Sequence, residues 1–197
     1  MGGVPCSGKL GRIRRRVTGE RVSGPTGSPI VLVGLMAAGK TTVGRILAAG
    51  CGLPFIDLDH EIELESGMSA TELFACKGES AFRDLEASVS LDLAPRSDVV
   101  VAVGGGWMDN STARQAWPEA RIVWLAVSPA VAALRIGSQT ASRPLLEGVD
   151  AQPVLERLLA LRLPAYAEAA YTVDTDLLGA EKTAAEIARL LGLRFSS

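Results

Sequence analysis

The segment Gly34–Thr41, with the sequence GLMAAGKT, matches the pattern G-x-x-x-x-G-K-[ST] and directly follows an apolar run that ends at Val33. Backbone N–H groups of such a loop, together with the positive end of the following helix, bind phosphate oxygens where no side chain blocks the approach. Lys40 would then reach the β- and γ-phosphates, and the Thr41 hydroxyl is a hard oxygen ligand suited to Mg²⁺. A chance match is expected roughly once in two hundred chains of this composition. The segment therefore predicts a binding site for a nucleoside triphosphate and its magnesium ion.

Two acidic residues, Asp57 and Asp59, lie at the end of the second apolar run. The carboxyl ends of parallel strands form the ligand crevice of α/β sheets, so both side chains would face phosphates or a substrate. An isolated D-x-D sequence is more often a solvated acidic turn, and only its place after a phosphate loop favours a functional interpretation. The single histidine, His60, has no second histidine or cysteine partner and indicates neither a zinc site nor a hydrolase triad.

An arginine and a glycine triplet could bind an acceptor substrate. Arg83 has Glu86 three residues further along a predicted helix, close enough to hold the guanidinium in one orientation, although a surface ion pair is the alternative. Gly104, Gly105 and Gly106 end a predicted strand, where the absence of Cβ atoms would let a substrate ring lie against the backbone or simply allow a tight turn. A phosphate loop alone does not distinguish kinases from GTPases, motor ATPases or nucleotide-binding regulators, so the acceptor residues must decide.

Four motifs follow the phosphate loop along the chain: Phe55–Asp59 (FIDLD), Gly78–Arg83 (GESAFR), Gly104–Gly106 (GGG) and Arg143–Leu146 (RPLL). In this order and at these spacings, the sequence resembles the shikimate kinase family over residues 30–193. The resemblance implies a P-loop kinase fold with a mobile lid. It also implies ATP-dependent phosphorylation of the 3-hydroxyl group of shikimate, which gives shikimate 3-phosphate and ADP in aromatic amino-acid biosynthesis.

The same resemblance implies roles for individual residues. Asp57 would help to hold Mg²⁺ through water, and Asp59 would bind substrate hydroxyl groups and accept the proton of the attacking one. Arg83 and Arg162 would bind the substrate carboxylate, because a guanidinium fork matches a carboxylate with two hydrogen bonds. Gly105 or its neighbours would donate a backbone N–H group to the substrate.

The predicted site thus has four groups of residues. The catalytic residues are Lys40, Asp59 and Arg143, of which Arg143 resembles a lid arginine that stabilises charge on the transferring phosphoryl group and helps to exclude water. The acceptor residues are Asp59, Arg83, Gly104, Gly105, Gly106 and Arg162, and the metal ligands are Thr41 and Asp57. ATP, the co-substrate, would be bound by Gly34, Ala37, Ala38, Gly39, Lys40, Thr41, Thr42 and, near the adenine, Arg135.

Three positions depart from the family pattern. Ile136 follows Arg135 where some relatives carry a second basic residue near the adenine. Ala37 stands where relatives often have glycine, and Trp107 is bulkier than the small apolar residue expected after the glycine triplet, so it would either pack in the core or narrow the acceptor pocket.

Two other functions stay open: another small-metabolite kinase, such as a gluconate kinase relative, or a regulatory module that binds ATP without turnover. The paired arginines and Asp59 favour shikimate. A module that only binds ATP could dispense with the lid arginine and the acceptor aspartate, so the presence of the full set speaks against it: Lys40, Thr41, Asp57, Asp59, Arg83 and Arg143.

From residue 29 onward, short apolar runs alternate with longer amphipathic stretches, which predicts an α/β domain with a central parallel sheet of about five strands flanked by helices. The predicted strands are 30–33, 54–57, 99–103, 122–126 and 171–174. The predicted helices are 39–49, ended by Gly50 in a left-handed conformation, then 60–66, 70–76, 79–93, 110–116, 129–135, 151–169 and 180–191. The small and polar residues 137–142 predict a mobile loop.

Composition limits the partners. A chain of 197 residues with 48% apolar residues predicts one domain, assigned to 29–197, after a flexible tail over 1–28 that is rich in Gly and Arg. With 20 basic and 22 acidic residues, nothing suggests a general affinity for nucleic acid or membrane surfaces, and no apolar run approaches the roughly 20 residues that span a bilayer. Three cysteines without a C-x-x-C pair favour a reduced, cytoplasmic location, and the small size favours a monomer.

Overall fold

The computed structural model describes residues 27–94, 96–137 and 150–196. Its centre is a sheet of five strands, each corresponding to a predicted strand: β1 (Ile30–Val33), β2 (Phe55–Asp57), β3 (Val100–Ala102), β4 (Arg121–Ala126) and β5 (Tyr171–Asp174). The strand order is β2-β3-β1-β4-β5, and all neighbouring pairs are parallel. The predicted central parallel sheet is therefore confirmed.

Burial depends on the position of a strand in the sheet. All four residues of the central strand β1 have no exposed surface, and its neighbour β3 is buried along its whole length. The edge strand β5 instead exposes Thr172 and Asp174. Strands that are buried on both faces consist of continuous apolar residues, which is why β1 and β3 stand out in the sequence.

Seven helices and one 3-10 turn connect and flank the described strands: α1 (Lys40–Cys51), α2 (Leu58–Ser66), α3 (Ala70–Leu93), the 3-10 turn Trp107–Asp109, α4 (Ser111–Gln115), α5 (Pro129–Ile136), α6 (Ala151–Tyr166) and α7 (Ala180–Leu190). The two helices predicted over 70–76 and 79–93 form one kinked element, α3, interrupted only by Gly78 with φ 81° and ψ 174°. The 3-10 turn was not predicted. None of the helices within the described ranges is long and apolar enough to cross a membrane.

Two helix ends show which local signals are reliable. Ser69 and Glu72 form a complete capping box at the start of α3, a pattern that a sequence can reveal. The prediction that Gly50 ends α1 is wrong, because Gly52 (φ 67°) takes the left-handed position and Gly50 lies inside the helix. A Cβ atom at Gly50 would collide with the ring of Phe195, so this glycine permits close packing of the C-terminal segment.

The described structure begins two residues before the predicted domain boundary. The Gly27 N–H group donates a hydrogen bond of 2.6 Å to Asp98, and the Arg121 guanidinium donates one of 3.3 Å to the Ser28 carbonyl oxygen. These bonds tie residues 27 and 28 to the sheet. The rest of the predicted tail, the predicted mobile loop beyond Gly137 and the motif that contains Arg143 lie outside the described residues.

Candidate active site

The loop between β1 and α1 requires glycine at two positions. Gly34 (φ 141°) and Gly39 (φ 93°) have positive φ values, and a Cβ atom at Gly34 would lie 2.5 Å from the Leu125 carbonyl oxygen. Ala37 also has a positive φ of 61°, a conformation that costs a non-glycine residue about 1–2 kcal/mol. The alanine at this position therefore strains the loop, while its N–H group is retained.

The N-terminal end of α1 offers backbone donors. Gly39 is the N-cap residue, and no side chain accepts a hydrogen bond at this end. The first N–H groups of a helix, here those of Lys40, Thr41 and Thr42, have no acceptor within the helix. Such an end, with its positive dipole, suits phosphate oxygens.

Two side chains at the start of α1 connect the loop with its surroundings. The Lys40 ammonium donates hydrogen bonds of 2.9 Å to the carbonyl oxygens of Gly34 and Leu35, which hold its charge over the loop. The Thr41 hydroxyl donates a hydrogen bond of 2.7 Å to Asp57 Oδ2 at the end of β2. The two predicted metal ligands are therefore adjacent.

Asp59 lies in the first turn of α2 and is partly buried. Its Oδ1 atom has no hydrogen-bond partner among the described residues. Burial, the largest cause, raises the pKa of Asp59 to about 6; the charge of Lys40 opposes this rise, whereas Asp57, Glu86 and Glu63 add to it. A buried carboxylate oxygen without a donor, with a pKa close to neutrality, is suited to binding a hydroxyl group and taking its proton.

Arg83 on α3 is held by a buried carboxylate. Its Nη1 donates a hydrogen bond of 2.9 Å to Glu86, which has no exposed surface, whereas its contact with the exposed Glu79 is longer, at 3.4 Å. The Asn110 amide donates hydrogen bonds to the Arg83 carbonyl oxygen at 2.9 Å and to Glu86 at 3.0 Å. The alternative of a simple surface ion pair therefore does not apply to Glu86, and the guanidinium is oriented from inside the protein.

The glycine triplet after β3 brings the predicted acceptor residues together. Each glycine lies against a different one of them, so that an added Cβ atom would approach that side chain closely. A Cβ atom added to Gly104 would lie 3.0 Å from Asp59 Oδ1, and one added to Gly105 would lie 2.7 Å from Arg162 Nη1. One added to Gly106 would lie against Arg83 Nη2. Three residues from three helices thus converge on one stretch of backbone that has no side chains of its own.

The remaining predicted residues occupy different surroundings. Arg135 donates hydrogen bonds to the Ala37 carbonyl oxygen at 3.3 Å and to both the hydroxyl and the carbonyl oxygen of Thr175, so it links the phosphate loop to the segment after β5. Trp107 is 1% exposed and donates a hydrogen bond of 3.1 Å to Ser90, which shows that it packs in the core. Arg143 lies outside the described residues.

Sequence reasoning gave too little weight to one residue of this site, Glu86, and missed two others, Asn110 and Tyr166. The sequence indicates Glu86 only as a partner of Arg83, because its complete burial depends on contacts with distant residues. Asn110 and Tyr166 carry weak signals: a helix N-cap and a tyrosine four residues after Arg162, on the same helical face. Tyr166 has no exposed surface, and its hydroxyl donates a hydrogen bond of 2.6 Å to the Gly105 carbonyl oxygen.

Comparison with known proteins adds an independent line of evidence. The model of the shikimate kinase family matches residues 36–191. Shikimate kinase from Caulobacter vibrioides is 46% identical over 147 residues, covering 74% of this chain and 73% of that protein, and the Brucella canis enzyme is 43% identical over 163 residues, covering 82% and 81%.

Two solved structures that resemble this chain are also structures of shikimate kinases. A structure of shikimate kinase from Acinetobacter baumannii in complex with shikimate has a TM-score of 0.79 at 37% identity, covering 84% of this chain and 93% of that one. A structure of shikimate kinase from Bacteroides thetaiotaomicron has a TM-score of 0.77 at 33% identity, covering 84% and 99%.

Proposed function

The chain belongs to the shikimate kinase family, and on this basis we propose that it transfers the γ-phosphoryl group of ATP to the 3-hydroxyl group of shikimate, giving shikimate 3-phosphate and ADP. The observation that carries the proposal is the convergence of Asp59, Arg83 and Arg162 on the glycine triplet. This arrangement joins one carboxylate to two guanidinium groups beside exposed backbone. It therefore suits an acceptor that has both hydroxyl groups and a carboxylate.

The two arginines would bind the acceptor carboxylate. A guanidinium fork matches the two oxygens of a carboxylate, and two forks bind an acid in preference to a neutral polyol. Arg83 is already oriented by Glu86 and Asn110, so little side-chain freedom is lost when the acceptor binds. The glycine backbone would allow the ring of the acceptor to approach closely.

Phosphoryl transfer follows from this placement. The 3-hydroxyl oxygen attacks the γ-phosphorus, the bond from that phosphorus to the β–γ bridging oxygen breaks, and the hydroxyl proton passes to Asp59. Lys40 and the first-turn N–H groups of α1 bind the phosphate oxygens on which charge is distributed during transfer. Most of the rate acceleration comes from positioning and electrostatic stabilisation, since the protein forms no covalent intermediate.

The residues present fit a magnesium ion. Thr41 and Asp57 offer hard oxygen atoms within hydrogen-bond distance of each other, and Mg²⁺ bound with ATP typically uses only one or two protein oxygens besides phosphates and water. When bound, the ion neutralises charge on the β- and γ-phosphates. Thr41 would hold it directly and Asp57 through water.

Arg143 and Arg135 complete the proposed nucleotide site. We propose that Arg143 stabilises charge on the transferring phosphoryl group and that Arg135 lies near the adenine. The bonds of Arg135 to Ala37 and Thr175 support the second role, because they fix the guanidinium beside the phosphate loop. A monomeric, cytoplasmic enzyme completes the proposal, in keeping with the chain's small size and cysteine usage.

Product analysis tests the proposed function. The purified protein is incubated with Mg-ATP and shikimate, and the product is examined by ³¹P and ¹H NMR. We expect one phosphate ester at the 3-hydroxyl group with the wild-type protein and none with Asp59→Asn. An ester at another hydroxyl group, or no ester with the wild-type protein, would contradict the proposal.

A further inference from the structure

The Tyr166 hydroxyl lies at the meeting point of two acceptor-binding groups. It donates a hydrogen bond of 2.6 Å to the Gly105 carbonyl oxygen. A Cβ atom added to Gly105 would lie 2.7 Å from Arg162 Nη1 and 3.6 Å from the Tyr166 oxygen. The Tyr166 hydroxyl therefore packs beside both the Gly105 backbone and the Arg162 guanidinium.

The tyrosine is well placed to act as a rigid anchor. Tyr166 has no exposed surface, and its ring stacks on Trp124 of β4 with ring centroids 5.7 Å apart. Burial is the largest cause that raises the pKa of Tyr166 to about 12, although the nearby Arg162 guanidinium opposes the rise. The phenol therefore remains protonated at neutral pH and can donate its hydrogen bond.

Anchoring a carbonyl group also fixes the neighbouring donor. The peptide unit is planar, so a hydrogen bond to the Gly105 carbonyl oxygen sets the direction of the Gly106 N–H group in the same plane. Glycine has the widest range of backbone conformations, so the triplet depends on such restraints. The Trp107 N–H group adds a second one, a hydrogen bond of 3.1 Å to the Gly104 carbonyl oxygen. One hydroxyl group thus restrains a backbone donor after β3, and its proximity to the Arg162 guanidinium allows it to restrain that side chain on α6 as well.

We propose that Tyr166 is a positioning residue for acceptor binding: its buried hydroxyl aligns the Gly105–Gly106 peptide and the Arg162 guanidinium for the acceptor carboxylate and ring. This inference rests on the proposed function, because it takes the acceptor roles of Gly105 and Arg162 from it. Tyr166 itself does not touch the reacting atoms. Its effect should therefore appear in acceptor binding and leave nucleotide binding unchanged.

The test is Tyr166→Phe, with Tyr171→Phe as the matched control. The chain contains only these two tyrosines, and Tyr171 lies on the edge strand β5, away from the glycine triplet. We expect Tyr166→Phe to raise the KM for shikimate about tenfold, the size of effect expected for one buried hydrogen bond, with an unchanged KM for ATP. Tyr171→Phe should leave both KM values within about twofold of wild type.

A purely structural role would give a different result. It would lower the melting temperature, and it would lower kcat because a smaller fraction of the protein would be active. The KM for shikimate would stay unchanged, and that outcome would overturn the inference. An unchanged KM with unchanged stability would overturn it as well. The wild-type protein is assayed first. If it is inactive towards shikimate, that result counts against the proposed function, before any variant is compared.

A second measurement does not depend on the folding of Tyr166→Phe. In the Tyr171→Phe variant, Tyr166 is the one tyrosine left, and labelling tyrosine with ¹³C at the ring carbon that bears the hydroxyl gives a single resonance. We expect saturating shikimate to shift this resonance, because the acceptor carboxylate would engage Arg162 beside the hydroxyl. Gluconate at the same concentration should not shift it. No shift with shikimate would overturn the inference.

Discussion

Arg83 donates a hydrogen bond of 2.9 Å to Glu86, a carboxylate with no exposed surface, and so its guanidinium is fixed from the protein interior. The same arginine also pairs with Glu79, but at 3.4 Å and with a carboxylate side chain that is 70% exposed. Exposed ion pairs contribute little because water and salt screen them, whereas a buried charge needs its partner. The two glutamates therefore have different expected effects on acceptor binding.

Glu86→Gln should raise the KM for shikimate about tenfold, because the guanidinium loses the charged partner that orients it. Glu79→Gln is the matched control and should change that KM by less than about twofold. Steady-state kinetics with varied shikimate at saturating Mg-ATP measures both. Equal effects of the two substitutions would show that burial of Glu86 does not matter for acceptor binding.

Asp59 should give the reaction a pH dependence near neutrality. The pKa of its carboxyl group is raised from 3.8 to about 6, chiefly by burial, and only the ionised form can accept the substrate proton. We expect kcat/KM for shikimate to fall about tenfold for each pH unit below 6 and to level off above it. A profile without a break between pH 5 and about 7 would contradict this assignment.

Asp59→Asn should abolish transfer and yet stabilise the protein. A raised folded-state pKa means that the folded protein binds the proton more tightly than the unfolded chain, so wild-type stability falls as the pH rises from about 4 to 6. The neutral amide avoids this loss, and we expect a gain of about 2–3 kcal/mol in the free energy of unfolding at pH 8 that disappears near pH 4. Urea unfolding at the two pH values measures it, and ATP affinity should be nearly unchanged.

Thr41→Val should raise the Mg²⁺ concentration that the reaction needs, because Thr41 is the proposed direct ligand of the ion. The substitution keeps the side-chain shape and the backbone N–H group but removes the hydroxyl that lies beside Asp57. We expect kcat to fall about 100-fold, with a higher Mg²⁺ concentration needed for half-maximal rate. Thr172→Val, on the exposed edge strand, is the control. An unchanged Mg²⁺ dependence in Thr41→Val would remove Thr41 from the metal site.

Arg143→Ala should slow turnover more than it weakens acceptor binding. If this arginine stabilises charge on the transferring phosphoryl group, its loss should reduce kcat by about 100-fold or more, with a smaller change in KM for shikimate. Arg157→Ala removes an exposed arginine of α6 and should leave kcat unchanged. A variant at position 143 with wild-type kcat would exclude Arg143 from the catalytic residues.

The features that the sequence predicted well are local or periodic. β1 and β3 are continuous apolar runs because they are buried on both faces. The phosphate loop motif lies within eight consecutive residues, and the glycine conformations at Gly34 and Gly39 follow from the motif itself. These elements need no knowledge of the rest of the chain.

The features that were missed depend on contacts between distant parts of the chain. Gly50 looked like a helix end, but its role is to accommodate Phe195, which is 145 positions away. Trp107 could have entered the acceptor pocket or the core, and its burial and its bond to Ser90 decide for the core. The role of Tyr166 likewise depends on Gly105, which comes from another element. No local pattern contains this information.

The most direct test of the central claim is ADP formation by the purified protein with Mg-ATP and, in parallel, shikimate, gluconate or no acceptor. We predict rapid ADP formation that depends on shikimate, with gluconate no better than the reaction without acceptor. ADP formation that depends on gluconate instead, or ATP binding without turnover on any of them, would contradict the assignment of shikimate as the acceptor.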